Sequence, residues 1–184
     1  GAHMGDLPEG GAMAAIPADM HTVEPALKGL AVEIAASNHP KETVISGTLV
    51  DVERAADRLA QRGYAPKMLR VSHAFHSHLM DPAIPALTEA FSACALSPPH
   101  LPFISGRTGS VEDEVWTDPS HWADSVRSPI RFSQALETLK MHADLVLEIG
   151  PSPVLCGMAA NTIGGIAVPS QQRGTHGHRA WLEA

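Results

Sequence analysis

A histidine-rich connection between two regular elements carries the residue types best suited to acid–base chemistry. It contains three histidines and two serines: Ser72, His73, His76, Ser77 and His78. The apolar residues 68–71 before it predict a strand, and residues 81–82 after it predict the start of a helix. Rigid scaffolds commonly present reactive side chains on such connections. A neutral imidazole accepts a proton near neutral pH, as the activation of a hydroxyl or thiol requires.

Other chemistries fit this connection less well. A zinc site is disfavoured because His76 and His78 are too close for one helical face and no cysteine or carboxylate completes a nearby set. Ser72 and Ser77 are expected to be structural, because the sequence contains no Gly-x-Ser-x-Gly elbow to expose a nucleophile. Residues 150–151 precede a predicted helix but lack the glycine pattern and lysine of a phosphate-binding loop.

Upstream of the histidines, the hydrophobic pattern predicts six elements in the order β-α-β-β-α-β. Strands are expected at residues 12–16, 30–36, 43–46 and 67–71, and helices at residues 22–27 and 51–62. The second helix is the clearest, because Val52, Ala55 and Leu59 share one face and Gly63 can end it. This order is the split βαβ arrangement of ferredoxin-like folds, so residues 11–71 are predicted to form a complete subdomain.

Downstream of the histidines, residues 72–184 alternate helices and strands but supply too few strands for a closed core. Helices are expected at residues 81–94, 122–126, 128–139 and 151–158, and strands at residues 102–105, 145–149 and 166–168. Residues 106–119 are expected to form an irregular polar loop, and residues 171–184 a polar tail. The nearly continuous apolar run at 145–149 predicts a strand buried on both faces, as in a parallel sheet.

Composition and charge exclude several classes of protein. The sequence has 184 residues, 44% of them hydrophobic and 18% charged, which is typical of a globular protein. Its net charge of −7 and the lack of a basic run argue against a nucleic-acid surface, and no apolar stretch could cross a bilayer. Cys94 and Cys156 are predicted to be buried free thiols of a cytoplasmic protein rather than a disulfide. Residues 1–4 resemble the remnant of a removed tag, so natural sequence is expected to begin near Gly5.

The histidine-rich connection also carries a family resemblance. Its sequence, Ser-His-Ala-Phe-His-Ser-His-Leu-Met at residues 72–80, resembles the second active-site segment of acyltransferase domains in type I polyketide synthases. Further matching segments follow in the order of that family at residues 11–16, 35–40, 44–47, 126–132 and 147–151. The resemblance rests on the occurrence of all these segments in the same order as in the family. It covers residues 10–158 and corresponds to only the C-terminal part of such a domain.

The resemblance implies roles for individual residues. His76, the last histidine of the His-Ala-Phe-His motif, corresponds to the catalytic base. His73 and Phe75 match the version of the motif that accompanies selection of malonyl over methylmalonyl groups. A backbone carbonyl at or near Ser125 is expected to orient the base. Asn38 matches a position that lines the pantetheine channel, although an Asx-turn role is an equal alternative.

The resemblance also implies the fold class and the reaction. We expect an α+β chain in which a ferredoxin-like subdomain at residues 11–71 precedes the C-terminal part of an α/β hydrolase-like subdomain at 72–184. The complete domain would transfer a malonyl group from malonyl-CoA to the phosphopantetheine thiol of an acyl carrier protein through an acyl-serine. No bound cofactor and no metal are expected.

The nucleophilic serine, an oxyanion-hole segment and the malonate-binding arginine of the family have no counterpart in this sequence. The expected partners are therefore the carrier protein, the N-terminal part of the domain and neighbouring synthase domains, and the chain alone is expected to be inactive. Arg127 and Arg131 are expected to make ion pairs or lie on a helix surface rather than replace the missing arginine.

The alternative function for the chain is that of a noncatalytic docking module derived from an acyltransferase.

Overall fold

A computed structural model describes residue 7, residues 10–162 and residues 166–171 of the chain. The tag-like residues 1–4 and the tail beyond residue 171 lie outside the described residues. No helix in the described part of the chain is long and apolar enough to cross a membrane.

The first half of the chain forms a four-stranded antiparallel sheet with the strand order β2-β3-β1-β4. Its strands are β1 Gly11–Ile16, β2 Val32–His39, β3 Glu42–Thr48 and β4 Lys67–Met68. Helix α1, Met20–Leu27, connects β1 to β2, and helix α2, Leu49–Ala60, connects β3 to β4. The predicted order of elements up to residue 71 is therefore present in the structure.

Helix α2 shows how the sequence sets the local structure. The Thr48 hydroxyl accepts a hydrogen bond from the backbone N–H of Asp51 at 3.3 Å, which caps the first turn. Val52 and Leu59 are fully buried against the sheet, and Gly63 adopts the positive φ of +89° that favours glycine after a helix. The predicted helix was placed two residues too late because its N-terminal turn exposes Leu49 and Val50.

The sheet has two differently covered faces. Side chains on one face pack against helices α1 and α2 and form the larger core, which includes Ile16, Val23 and Ile45. The other face carries a smaller apolar cluster consisting of Met13, Ala35, Ala36 and Val44, with Leu69, Phe75 and Ile130 packed against it. The histidine-rich connection and the segment around residue 130 therefore meet on this second face.

Strand β4 is shorter than the prediction of residues 67–71. It pairs with β1 only over Lys67 and Met68, and the last ladder bond runs from the N–H of Leu69 to the carbonyl of Met13 at 2.9 Å. The chain then leaves the sheet and brings Ala74 against Gly11. A Cβ atom at Gly11 would lie 2.7 Å from the Ala74 Cβ, so only glycine permits this approach.

The second half of the chain is mostly helical. Its elements are a 3₁₀ helix His78–Ala83, α3 Ile84–Ser92, a 3₁₀ turn Val115–Thr117, α4 Pro119–Asp124, α5 Phe132–Lys140, β5 Leu145–Glu148, α6 Val154–Thr162 and β6 Ile166–Pro169. Strands β5 and β6 pair in parallel. The Glu148 carboxylate caps α6 by accepting the N–H groups of Leu155 at 3.0 Å and Cys156 at 2.7 Å.

Three predicted boundaries in this half were wrong. Asp81 does not cap a helix; Ser77 caps the 3₁₀ helix instead, accepting the N–H of Leu79 at 3.3 Å. The strand expected at residues 102–105 is reduced to a single bridge between Ile104 and Val111. Helix α5 begins at Phe132 rather than residue 128, because the intervening backbone bonds to β2.

The burial expected of β5 and of the thiols was also wrong in part. Leu145 is 55% exposed and Leu147 is 37% exposed, so the strand is not covered on both faces. Cys94 is exposed and Cys156 is half-buried, and both are free thiols. An apolar surface is thus present around β5.

Candidate active site

The backbone of His76 adopts an uncommon conformation. Its φ of +60° makes it the only non-glycine residue with a positive φ in the described ranges. Such a conformation costs free energy and persists where surrounding contacts enforce it. One of these contacts is the hydrogen bond from the His76 N–H to the carbonyl of Val126 at 2.9 Å.

The imidazole of His76 is oriented by the same segment. Its Nδ1 lies 2.8 Å from the backbone carbonyl oxygen of Ser128. Because a carbonyl only accepts hydrogen bonds, Nδ1 carries the proton and Nε2 of the neutral ring keeps its lone pair. The accepting carbonyl is that of Ser128, three positions after the Ser125 expected from the sequence.

Burial lowers the pKa of His76 below its ordinary value, because a charged imidazolium is poorly solvated there. The backbone carbonyls of Ser128 and Ser125 act in the opposite direction, but they do not cancel the effect of burial. The backbone of Ser125 therefore also influences the ring. The net result favours the neutral imidazole, which is the form that accepts a proton.

The segment that orients His76 is fixed to the edge of the sheet. The N–H of Ile130 donates to the carbonyl of Ala35, and the N–H of Ser37 donates to the carbonyl of Ile130, both at 2.8 Å. These bonds form a one-residue parallel bridge to β2 at Ala36. The first half of the chain thereby anchors the backbone that contacts the imidazole.

An ion-pair network lies beside the same segment. The Arg127 guanidinium donates to both carboxylate oxygens of Glu33 on β2, at 2.5 and 3.1 Å, and to Asp81 at 2.6 Å. His78 Nδ1 lies 3.3 Å from Glu33 Oε1. The expected ion-pair role of Arg127 is confirmed.

Phe75 packs on the second face of the sheet, and the ring of His73 lies beside it. Their rings meet edge to face with centroids 6.1 Å apart. Phe75 packs against the cluster that contains Met13 and Val44, and His73 Nε2 lies 3.4 Å from the carbonyl of Leu7. The three histidines of the connection therefore have three separate sets of partners.

Asn38 occupies the end of β2. Its side-chain amide donates to Glu42 Oε1 at 3.0 Å across the β2–β3 hairpin, which differs from an Asx-turn. A cavity of about 490 Å³ lies between α1, β2 and α5, and Ser37 rather than Asn38 lines it. A role for Asn38 in a substrate channel stays a prediction.

The two serines of the connection differ in environment. Ser77 is fully buried, and its hydroxyl donates to the carbonyl of Ala74 at 2.7 Å while it accepts the N–H of Leu79. Ser72 is exposed. The Ser77 hydroxyl therefore both donates and accepts a hydrogen bond within the connection, and these bonds stabilise the local backbone.

The sequence analysis missed a buried histidine. His121 is only 4% exposed, packs edge-on against Trp116 and Trp122, and places Nδ1 3.0 Å from an Arg107 nitrogen. Burial, followed by the charge of Arg107, lowers the pKa of His121. The cluster anchors α4, which leads directly into the segment around Ser128. Asp118, which caps α4, followed by Pro119 as its first residue, was a usable helix-start signal within the expected polar loop.

Comparisons with known proteins identify the family of this chain. The family model described as the acyl transferase domain matches residues 3–174. The phenolphthiocerol synthesis polyketide synthase type I Pks15/1 of Mycobacterium bovis is 38% identical over 152 residues, covering 82% of this chain and 7% of that protein.

Solved structures show the same fold. The acyltransferase domain from the second module of the salinomycin polyketide synthase matches with a TM-score of 0.93 and 34% identity, over 100% of this chain and 45% of that one. A malonyl-transacylase in complex with its type II acyl-carrier protein matches with a TM-score of 0.85 and 25% identity, over 98% of this chain and 61% of that one. This chain thus spans under half of the salinomycin domain.

The family model, the synthase relative and the salinomycin domain all match most or all of this chain. Taken together with the geometry around His76, they show that the chain belongs to the acyl transferase domain family, in the form that type I polyketide synthases carry.

Proposed function

We propose that this chain supplies the general base and part of the acyl pocket of a domain that transfers a malonyl group from malonyl-CoA to an acyl carrier protein. The observation that carries the proposal is the 2.8 Å contact between His76 Nδ1 and the Ser128 carbonyl, which leaves Nε2 as the basic nitrogen. The malonyl-transacylase that was solved with its carrier protein supports this choice of reaction.

In the first half-reaction, His76 Nε2 takes the proton of a serine hydroxyl supplied by a part of the domain outside this sequence. The serine oxygen attacks the thioester carbonyl carbon of malonyl-CoA. As the carbon–sulfur bond breaks, the leaving CoA sulfur receives the proton from the imidazolium. The products are a malonyl-serine ester and free CoA.

In the second half-reaction, His76 Nε2 takes the proton of the phosphopantetheine thiol on the carrier protein. The thiolate attacks the ester carbonyl, the carbon–oxygen bond to serine breaks, and the serine oxygen regains the proton from His76. The reaction needs no bound metal or cofactor, because phosphopantetheine arrives on the carrier protein.

We further propose that residues 11–71 form a ferredoxin-like subdomain and that residues 72–184 belong to a hydrolase-like subdomain. The strand order β2-β3-β1-β4 with two helices on one face supports the first assignment. The parallel pairing of β5 and β6 supports the second. His76 lies on the connection that follows the first of them.

The remaining site residues have proposed roles of their own. His73 and Phe75 form a wall of the acyl pocket; their rings contact each other, and Phe75 packs against the sheet. Asn38 faces the pantetheine channel at the end of β2. The partners are the carrier protein, the N-terminal part of the domain and neighbouring synthase domains.

Acylation of the complete domain tests the base. Replacing His76 with Ala should slow formation of the malonyl-enzyme by ~10²–10⁴-fold, the usual contribution of a general base. The exposed His100→Ala variant serves as the matched control and should acylate at the normal rate. Rapid-quench measurement showing near-normal acylation by His76→Ala would contradict the assignment.

Two further results bear on the proposal. The 184-residue chain alone, incubated with malonyl-CoA, should gain no malonyl adduct in intact-protein mass spectrometry. A stoichiometric adduct on any of its serines would overturn the proposal of an externally supplied nucleophile. Failure of the complete domain to form an acyl-enzyme would instead favour the noncatalytic docking module.

A further inference from the structure

We infer that Arg127 is a positioning residue for His76, because its ion pairs with Glu33 and Asp81 hold the backbone carbonyls that orient the imidazole. The inference rests on the proposed role of His76 as the base. Arg127 itself is not placed in contact with substrate, so its effect would be exerted through His76.

The position of Arg127 in the chain is the first step of the argument. It lies between Val126, whose carbonyl accepts the His76 N–H at 2.9 Å, and Ser128, whose carbonyl contacts His76 Nδ1 at 2.8 Å. A movement of the Arg127 backbone would therefore displace both contacts together. The first contact holds the main chain of His76, which has a positive φ. The second contact orients its imidazole ring.

The side chain of Arg127 joins two separate elements. It donates two hydrogen bonds to Glu33 on β2, and a third to Asp81 in the 3₁₀ helix that begins at His78, the last histidine of the connection. Bidentate pairs of arginine with a carboxylate fix the direction of the side chain as well as its distance. The guanidinium thereby fixes the orienting segment to the sheet on one side and to the connection that carries His76 on the other.

His78 extends the same network. Its Nδ1 lies 3.3 Å from Glu33 Oε1, so Glu33 contacts both the orienting segment and the connection. Glu33 and Asp81 therefore pair directly with Arg127, and His78 joins the network through Glu33. Asp81 and His78 follow His76 closely in the sequence, and Glu33 lies on β2, the strand to which Ile130 is bonded.

The ion pairs of Arg127 differ in what they contribute to stability. The Asp81 side chain is 55% exposed, so its single ion pair with Arg127 contributes little to the free energy of unfolding, whereas the bidentate pair with the half-buried Glu33 contributes more. Two backbone hydrogen bonds at Ile130 already fasten the segment to β2. We therefore expect the loss of Arg127 to shift the carbonyls more than it weakens the fold.

The test uses the complete acyltransferase domain with Arg127→Gln, Arg127→Lys and Asp81→Asn. The matched control is Arg54→Gln, which removes an exposed arginine paired with Asp51 at 3.1 Å far from His76 in sequence. For Arg127→Gln we expect kcat for acylation to fall by ~10–100-fold, as misplacement of a catalytic group can cause, with little change in KM. Arg127→Lys keeps the charge but not the bidentate geometry, so it should restore only part of the rate.

The pH profile separates positioning from simple destabilisation. Because the Ser128 carbonyl raises the pKa of His76, its displacement should move the acidic limb of kcat/KM to lower pH. Partial unfolding would lower the rate without moving this limb. Asp81→Asn should show the same effects to a smaller degree, and combining it with Arg127→Gln should add little beyond the single change.

The outcomes distinguish this inference from the proposed function. The positioning role is wrong if Arg127→Gln and Asp81→Asn both have the same kcat for acylation as the control Arg54→Gln and the same acidic limb in the pH profile of kcat/KM. If Arg127→Gln does not fold, Asp81→Asn decides by the same two measurements. If His76→Ala loses acylation while both variants behave as the control, only the positioning inference fails. If His76→Ala acylates normally, the proposed function fails as well.

Discussion

The imidazole Nδ1 of His76 lies 2.8 Å from the backbone carbonyl of Ser128, a residue 52 positions later in the chain. Because the partner is a main-chain oxygen, the identity of the side chain at position 128 matters less than the path of the backbone. That path is set by hydrogen bonds between Ile130 and β2. The orientation of the proposed base therefore depends on the docking of the second half of the chain onto the first.

The pH dependence of acylation should reflect the burial of His76. Its pKa lies below the ordinary value of about 6.5, so the base stays neutral to a lower pH than a free imidazole does. We expect kcat/KM of the complete domain to be level at neutral pH and to fall only below about pH 6.5. Initial rates of malonyl transfer between about pH 5 and 8 measure this.

The sign of the shift makes this expectation specific. Lowering the pH through the folded pKa protonates Nε2 and removes its lone pair, so activity must be lost on the acidic side. Circular dichroism across the same range controls for unfolding. A midpoint above 6.5 in a folded protein would show that burial does not dominate the environment of His76.

The apolar surface around β5 should cause the 184-residue chain to self-associate when it is alone. Ile149 is 84% exposed, Val154 56% and Leu145 55%, an unusual concentration of exposed apolar side chains. We expect light scattering to show concentration-dependent association and a hydrophobic dye to bind. The variant Leu145→Lys with Ile149→Lys should reduce both signals, because it places charge on this surface.

A compact, dye-silent monomer at all concentrations would contradict this expectation. The complete domain offers a second comparison. If another part of the domain covers β5, the complete domain should bind less dye than the 184-residue chain at the same concentration.

Local sequence patterns were sufficient to predict the elements of the first half. Alternation and capping residues located β1, β3 and α2 to within a few residues, because their burial follows the regular periods of strand and helix. The end of β4 was not predictable in this way. The chain leaves the sheet after Leu69 to bring Ala74 against Gly11, and that contact joins residues far apart in sequence.

The geometry of the candidate site could not be predicted from local sequence patterns either. The motif around His76 indicated which residue could act as a base, but the geometry around it depends on pairs distant in the sequence. Asp81 is of a residue type that often caps helices, yet it pairs with Arg127, 46 residues later. Residues 128–131 have the pattern of a helix start, yet Ile130 pairs with β2. In each case a long-range partner overrides the local preference.

The last prediction concerns the choice of acyl group by the complete domain. Phe75 is adjacent to His76, and its ring is held between His73 and the apolar cluster on the sheet. A ring held in this way has little freedom to move aside for the α-methyl branch of a methylmalonyl group. Exclusion of one methyl group by crowding is worth about 1–3 kcal/mol, which corresponds to a preference of ~10–200-fold in kcat/KM for malonyl-CoA.

The double variant His73→Tyr with Phe75→Ser should weaken this preference without inverting it. Serine at position 75 removes the ring, and the change at position 73 reshapes the surface against which that ring packs. The preference should not invert, because the rest of the acyl pocket would come from parts of the domain outside this sequence. Competition between malonyl-CoA and methylmalonyl-CoA for one carrier protein measures the ratio directly. The His100→Ala variant should keep the original ratio, and an unchanged ratio in the double variant would show that Phe75 does not select the acyl group.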